Sequence, residues 1–352
     1  MNSYLIQIFT FWIATFLIWY LITPIYIDFL KRLKFWKQIR EDAIMWKAIE
    51  FFRLHKDKVW TPTMWWAIIL FIIFFMVIVS IIFQKMWYIN NSLLNQKETY
   101  LSLFTLATVW FLGLIDDYMN IKWIWNKWLS ARFKMFWLII FALAWSWWFY
   151  YKLWWNLTDI NWDYIRTLKI PFKQSIELWV YFIPFFIFII IASANSVNLT
   201  DWLDWLAWWL LLFTYSVYAY ITYDQWLFLL STLCLVIIWA LIAFLWYNVK
   251  PAQFYMWDVW SLALGANLWI IAVLTNTITV FLIISSIFIF ETISVIIQLT
   301  SKKLRHWKKV FRIAPFHHHL EAIWWKEETI VFRIWLIWIV LSVIWIIVYQ
   351  LQ

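Results

Sequence analysis

The chain has 352 residues, of which 66% are hydrophobic and only 13% charged, and its mean hydropathy is +0.76. A soluble domain is about half apolar and roughly a quarter charged, so an ordinary soluble fold is excluded. The net charge of +9 does not indicate a nucleic-acid partner, because the basic residues sit in loops between apolar runs, as they do in membrane proteins.

The first apolar run is long, lacks a basic start and ends in Lys31-Arg32, so it reads as a retained first span rather than a cleavable signal. Further runs long enough to cross a bilayer, about 20 residues each, recur along the chain. They predict ten spans at about 4–28, 64–88, 100–115, 133–151, 177–194, 205–222, 226–246, 259–275, 279–299 and 331–350. Helices are required, since lipid offers the backbone no hydrogen-bond partners. The expected fold is therefore all-α and polytopic, with no detectable internal repeat. The single cysteine, Cys234, lies inside an apolar run, which rules out an intramolecular disulfide and gives no sign of redox chemistry.

Lysine and arginine are distributed unevenly between the two sides. The loops after odd-numbered spans hold 21 of the 28, counting Lys134 just beyond one of them, whereas the opposite loops hold six. Arg333 stands at the start of the last span. This bias predicts odd loops in the cytoplasm and both termini on the extracytoplasmic side.

The polar clusters fall in those same odd loops. Asp116-Asp117 ends the third span, and adjacent carboxylates beside hydrocarbon are costly. They suit a divalent cation or a base of raised pKa, or else simply a solvated helix end. After the fifth span come Asn195, Asn198, Asp201 and Asp204, a set suited to a polar ligand or a metal. Residues 198, 201 and 204 share a face if the segment is helical. The third cluster runs from Asn248 to Ser261 with Gln253, Tyr255 and Asp258. Asp258 opens the eighth span, either to complete a metal site with the aspartate pair or merely as a good helix-starting residue. The fourth holds Arg312 and His317-His318-His319, which offer metal ligands or phosphate donors near neutral pH. Three consecutive histidines cannot all face one point on a helix. Carboxylates, histidines and basic groups at one membrane surface suit Mg²⁺-dependent phosphoryl transfer, where catalysis is mostly positioning and charge neutralisation. The chain is read as one transmembrane catalytic domain over 1–352.

Six segments occur in a familiar order: Thr61 to Met64, Asp116-Asp117-Tyr118, Leu129 to Lys134, Asn195 to Ala207, Pro251 to Leu264, and Ala314 to Glu321. Together they resemble the phospho-N-acetylmuramoyl-pentapeptide transferases over nearly the whole chain. The triple-histidine segment separates that family from the related polyprenyl-phosphate N-acetylhexosamine-1-phosphate transferases. The resemblance implies transfer of phospho-N-acetylmuramoyl-pentapeptide from UDP-MurNAc-pentapeptide to undecaprenyl phosphate, giving lipid I and UMP, with Mg²⁺ as cofactor. It implies a multi-pass protein of the bacterial inner membrane, embedded in membrane lipid, with its active site facing the cytoplasm, and a homodimer. It implies that Asp116, Asp117, Asp258 and His317 are catalytic and that Asp258 and Asp117 hold the metal. Lys58, Thr63, Asn195, Asn198, Asp201, Asp204, Asn248, Tyr255, Gln298, His318 and His319 would line the substrate site, with Tyr255 on uracil and Lys134 facing the phosphates. These residues fit both direct attack and passage through a covalent enzyme intermediate.

One feature departs from the family pattern. The chain has 36 tryptophans and two glycines, Gly113 and Gly265, where average usage of about 7% would give about 25 glycines. Trp65, Trp66, Trp202, Trp205, Trp257 and Trp260 stand where the family pattern has glycine, whereas Trp246 and Trp325 stand where it can carry tryptophan. Interfacial aromatic belts account for indoles near span ends, but not for indoles in tight polar loops. The balance predicts that most of these positions are glycine in the cell, the codon UGA being read as glycine.

Two other functions fit parts of the pattern. A sister enzyme would move GlcNAc-1-phosphate to a polyprenyl phosphate. A transporter would also have many spans, but it would place polar groups near the bilayer midplane and often show repeats. Here the polar groups gather at span ends.

Overall fold

A computed structural model describes residues 2–33, 66–122, 135–147, 167–169, 176–178, 181–203, 205–248 and 258–351. The helices are α1 (Asn2–Leu33), α2 (Trp66–Lys85), α3 (Lys97–Lys122), α4 (Met135–Trp147), α5 (Phe182–Thr200), α6 (Leu206–Asp224) and α7 (Phe228–Asn248), followed by α8 (Asp258–Leu274), α9 (Ile278–Ile284), α10 (Ser286–Leu304), α11 (Phe316–Ala322) and α12 (Glu327–Gln350). The described strands are β1 (Thr167–Leu168) and β2 (Ile176–Glu177), an antiparallel pair with Thr167 opposite Glu177.

Every predicted span contains a helix. Among the described residues, Lys97–Ile115, Phe182–Thr200, Phe228–Asn248 and Glu327–Gln350 are each long and apolar enough to cross a membrane, and α9 with α10, bent by 69°, makes a fifth if the pair is one span. The predicted span 279–299 is therefore broken. The break falls at the Ser285-Ser286 pair, a composition that commonly kinks helices. The fifth span also differs from expectation. Residues 176–177 are extended, the helix starts at Phe182, and it continues to Thr200, so Asn195 and Asn198 are helical rather than in a loop. Polar side chains remain helical there by returning hydrogen bonds to their own helix. Asn195 donates to the Ile191 carbonyl (2.8 Å), Ser196 to that of Ala192 (2.6 Å) and Thr200 to that of Ser196 (2.8 Å).

The chain divides into two compact units interleaved in sequence, Met1–Ala107 with Asp201–Trp260, and Thr108–Thr200 with Ser261–Gln352. In the first unit α7 is the centre, with 78% of its apolar window buried, and α1, α2 and α6 pack on it. Trp208 of α6 stacks on Phe244 of α7 at 3.6 Å between ring centroids, and the Ser231 hydroxyl donates to the Ala219 carbonyl at 2.8 Å. These contacts hold the Asn248 end of α7 beside the start of α6.

In the second unit α5 and α10 pack together, and α5 meets α8 at Gly265. A Cβ on Gly265 would stand 2.6 Å from the Ser193 carbonyl oxygen and 2.9 Å from the Ala194 Cα, both backbone atoms. The Ser193 hydroxyl also donates to the Gly265 carbonyl at 2.5 Å. Gly265→Ala must therefore push two backbones apart. Overpacking of this kind costs about 1–3 kcal/mol, so a lower melting temperature of the detergent-solubilised protein is expected, with Gly113→Ala as the comparison.

Along α10 of the second unit, most polar groups face inward and most apolar groups outward. Along α10, Glu291, Ser294, Gln298, Ser301 and Lys302 are buried, whereas Phe290, Ile293, Ile296, Ile297 and Leu299 are exposed. A soluble amphipathic helix has the reverse arrangement. Most of α12 is exposed, and Phe332, Leu336, Ile337, Val340 and Val343 face outward. Faces of this kind match hydrocarbon, and the chain is a multi-pass, all-helical membrane protein.

Candidate active site

Some of the expected site residues are placed by the backbone alone. Asp116 and Asp117 lie in the last two turns of α3, and Asp258 is the first residue of α8. The side chains of these three, and all of Lys58, Thr63, Lys134, Asp204 and Tyr255, lie outside the described residues. Among the described residues no three His, Cys, Asp or Glu side chains converge on one point. The proposed donors Asp117 and Asp258 are carboxylates at helix ends, and hard oxygen donors of this type fit Mg²⁺.

In the first unit, Asn248 closes α7 and is 1% exposed. Its Oδ1 accepts the backbone N–H of Trp205 at 3.1 Å, which fastens the Asp201–Trp205 turn to the end of α7. Two of the sequence clusters are thus joined by one carboxamide.

In the second unit, Asn198 donates from Nδ2 to the Ser261 hydroxyl at 2.8 Å, and Thr292 of α10 donates to Ser196 at 2.8 Å. Ser261 lies one helical turn after Asp258, so the α5 carboxamide reaches the opening turn of α8. Asn195 is spent mainly on its own helix, with a longer contact from Nδ2 to Met135 Sδ at 3.7 Å.

The histidine segment is held by a side chain from α10. Gln298 Oε1 accepts the backbone N–H groups of Val310 and Phe311, both at 3.0 Å, and Nε2 donates to the Phe311 carbonyl at 2.9 Å. Ser301 adds a bond to the Lys308 carbonyl at 3.0 Å. Expected as a substrate-lining group, Gln298 here clamps the loop that precedes α11. Gln298→Ala removes three hydrogen bonds to a part-exposed loop, each contributing about 0.5–1.5 kcal/mol. Faster hydrogen exchange at residues 308–312 is the expected readout.

On α11 the three histidines part company. The His319 Nδ1 accepts the Arg312 N–H at 3.2 Å, while the Arg312 guanidinium donates to the Ala322 carbonyl at 2.7 Å. His319 thus helps to close the loop. His318 Nδ1 lies 2.6 Å from Glu321 Oε2 and its ring is 4.2 Å from that of His317, nearly edge-on. His317 is wholly buried. Its backbone N–H donates to Glu291 Oε2 at 3.2 Å, and its Nδ1 stands 3.2 Å from the same oxygen, close enough for an ion pair but poorly aligned for a hydrogen bond. The His317 Nε2 has no hydrogen-bond partner among the described residues. A buried imidazole with one nitrogen beside a carboxylate and the other unused is equipped to give a proton to, or take one from, a bound group.

Glu291 was not singled out by the sequence reading. The signal was present, since it is a lone carboxylate within an otherwise apolar run, and such residues are expensive in membranes.

Comparisons with known proteins converge on one family. The pattern described as Glycosyl transferase family 4 matches residues 99–276. A phospho-N-acetylmuramoyl-pentapeptide-transferase of Geobacillus sp. (strain WCH70) is 31% identical over 324 residues, 92% of each chain. The protein of the same name from Thermodesulfovibrio yellowstonii is 32% identical over 97% of this chain and 92% of its own length. That of Staphylococcus saprophyticus is 33% identical over 94% of this chain and 96% of its own.

Proposed function

The chain belongs to the phospho-N-acetylmuramoyl-pentapeptide-transferase family, and from that membership we propose that it moves phospho-MurNAc-pentapeptide from UDP-MurNAc-pentapeptide onto undecaprenyl phosphate. The observation that carries the reading is the end-to-end similarity, which includes the segments that bear Asp116-Asp117, Asn198, Asp258 and His317. The products would be lipid I and UMP, at a committed membrane step of peptidoglycan synthesis.

The chemistry is a displacement at phosphorus. An oxygen of the lipid phosphate bonds to the β-phosphorus of the nucleotide sugar, the bond from that phosphorus to the bridging oxygen breaks, and the bridging oxygen leaves with UMP. Four phosphate-borne charges must be brought together, so neutralisation and alignment dominate the barrier. Mg²⁺, held by Asp117 and Asp258, would supply that neutralisation and stabilise the leaving phosphate. One carboxylate of the Asp116-Asp117 pair would take the remaining proton from the lipid phosphate. His317, held at Glu291, would donate toward phosphate oxygens. The turn at Asp201 and the Asn248 carboxamide would hold the nucleotide part, with Lys58, Thr63, Asp204, Tyr255 and His318 around it and Lys134 on the phosphates. The loop bias in lysine and arginine supports a cytoplasmic active site, where the soluble nucleotide substrate is found.

Membranes that hold the chain should release UMP from UDP-MurNAc-pentapeptide only when undecaprenyl phosphate and Mg²⁺ are both supplied. Equal turnover of UDP-GlcNAc would instead assign the chain to the sister transferases, and no UMP release with either donor would reject the reading.

A further inference from the structure

Backbone geometry bears directly on the tryptophan excess. Among the described residues, seven that are not glycine have φ in the left-handed region: Trp87 (62°), Trp205 (63°), Trp226 (62°), Asn276 (49°), His306 (49°), Trp307 (69°) and Trp324 (75°). Asparagine and histidine are residues that enter this region more readily than most, whereas for a bulky side chain it is a real outlier. With 36 tryptophans in 352 residues, indifference to residue type would place about one of the seven on tryptophan; five are there.

The hydrogen bonds show what three of those five positions are for. After α2, Tyr88 N–H donates to the Phe83 carbonyl at 3.0 Å and Trp87 N–H to that of Gln84 at 3.1 Å. After α6, Leu227 donates to Thr222 at 2.8 Å and Trp226 to Tyr223 at 3.1 Å. After α11, Trp325 donates to Leu320 at 3.1 Å and Trp324 to Glu321 at 2.9 Å. Each is a Schellman helix end, whose left-handed residue is usually glycine and sometimes asparagine. The chain itself supplies the asparagine case. Thr277 donates to Ala272 at 2.9 Å and Asn276 to Val273 at 3.1 Å after α8.

Two of the five indoles stand almost wholly in solvent. Trp87 is 93% exposed and Trp324 81%, although indoles ordinarily bury a large area. An interfacial belt accounts for exposure, but it does not require a left-handed backbone. Trp325 provides the contrast within the same turn. It is outside the left-handed region, and the Arg333 guanidinium carbon lies 4.1 Å over its ring. In the core, the fully buried Trp269 packs on Phe185, Phe186 and Phe281 but has no acceptor for its indole N–H among the described residues.

We infer that positions 87, 205, 226, 307 and 324 are glycine in the native protein, and that the gene is decoded with UGA as glycine. This assignment does not depend on the proposed transferase function. It also sharpens the site: Trp205 follows Asp204 directly and gives its N–H to Asn248, so glycine there leaves the backbone of this polar turn open to a ligand. Peptide mass spectrometry of the protein from its own membranes tests the assignment, read together with the codons. Glycine at three or more of the five positions, encoded by UGA, is the expected result. Tryptophan at three or more of them overturns it.

A different observation carries a second inference, which rests on the proposed function. We propose that Glu291 is a positioning residue for His317. Both are buried, and one carboxylate oxygen meets the backbone N–H and the Nδ1 of the same histidine. A carboxylate beside Nδ1 favours a proton on that nitrogen, and the bond to the backbone N–H sets where the ring stands. His318 on the same helix also meets this ring, and Glu321 meets His318 in turn. In the glycine-decoded enzyme, Glu291→Gln keeps an acceptor for the backbone N–H while removing the charge. The expected result is a turnover lower by about 10-fold or more, with the pH–rate profile displaced and the KM for the nucleotide sugar little changed. An unaltered pH profile and turnover, with His317→Ala still inactive, overturns the role of Glu291 alone. Full activity of both variants counts against the transferase site itself.

Discussion

His317→Ala is expected to lower the turnover of UDP-MurNAc-pentapeptide by about 10²- to 10⁴-fold, the usual range for a group that handles a proton in the transition state. The expectation follows from burial and from an unused nitrogen. The ring is wholly enclosed, its Nδ1 side is occupied by Glu291, and its Nε2 is without a partner among the described residues. His319→Ala should behave differently. Its Nδ1 serves the Arg312 backbone, so its loss should loosen the loop and lower thermal stability, with a smaller effect on turnover. Purified variants assayed for UMP release, with melting temperatures measured in parallel, separate the two. Equal losses from the two substitutions would contradict the assignment of roles.

The chain made with tryptophan at all 36 positions is expected to have at least about 10²-fold less transferase activity than one carrying Trp87→Gly, Trp205→Gly, Trp226→Gly, Trp307→Gly and Trp324→Gly. A left-handed conformation costs an L-residue about 1–2 kcal/mol. Five such positions therefore oppose folding by some 5–10 kcal/mol, comparable with the whole stability of an ordinary domain, about 5–15 kcal/mol. Trp205 adds a local effect, because its backbone joins the Asp201 turn to Asn248. The comparison is made by expressing both genes in one host that reads UGA as stop, with tryptophan encoded by UGG. Similar yield and activity from both would contradict the account.

Much of the fold was legible because bilayer chemistry leaves few choices. Runs of apolar residues of one length, separated by charged loops, had to be helices, and each predicted run contains one. The break at Ser285-Ser286 was not legible, since two serines interrupt hydropathy too little to mark a bend of 69°. The helical placement of Asn195 and Asn198 was missed for a related reason. Polarity was read as loop, whereas side-chain bonds to carbonyls one turn back allow a polar stretch to stay helical. In the site, Gln298 and the histidine segment were found by pattern, but their division of labour was not. One residue clamps the loop, one histidine closes it, and one histidine is enclosed beside a carboxylate. Glu291 could have been found by asking why a carboxylate stands alone in hydrocarbon. The tryptophans were anomalous by composition alone, and the φ angles identify five positions where glycine is at ease and tryptophan is not.

The most direct test of the central claim follows the phosphorus. UDP-MurNAc-pentapeptide labelled at its β-phosphorus is incubated with undecaprenyl phosphate, Mg²⁺ and the glycine-decoded protein, and the label is then traced. Phospho-sugar transfer predicts that the label moves to the lipid fraction and that the UMP released carries none. Label recovered in UDP would mean that the sugar moved without its phosphate, and would contradict the account.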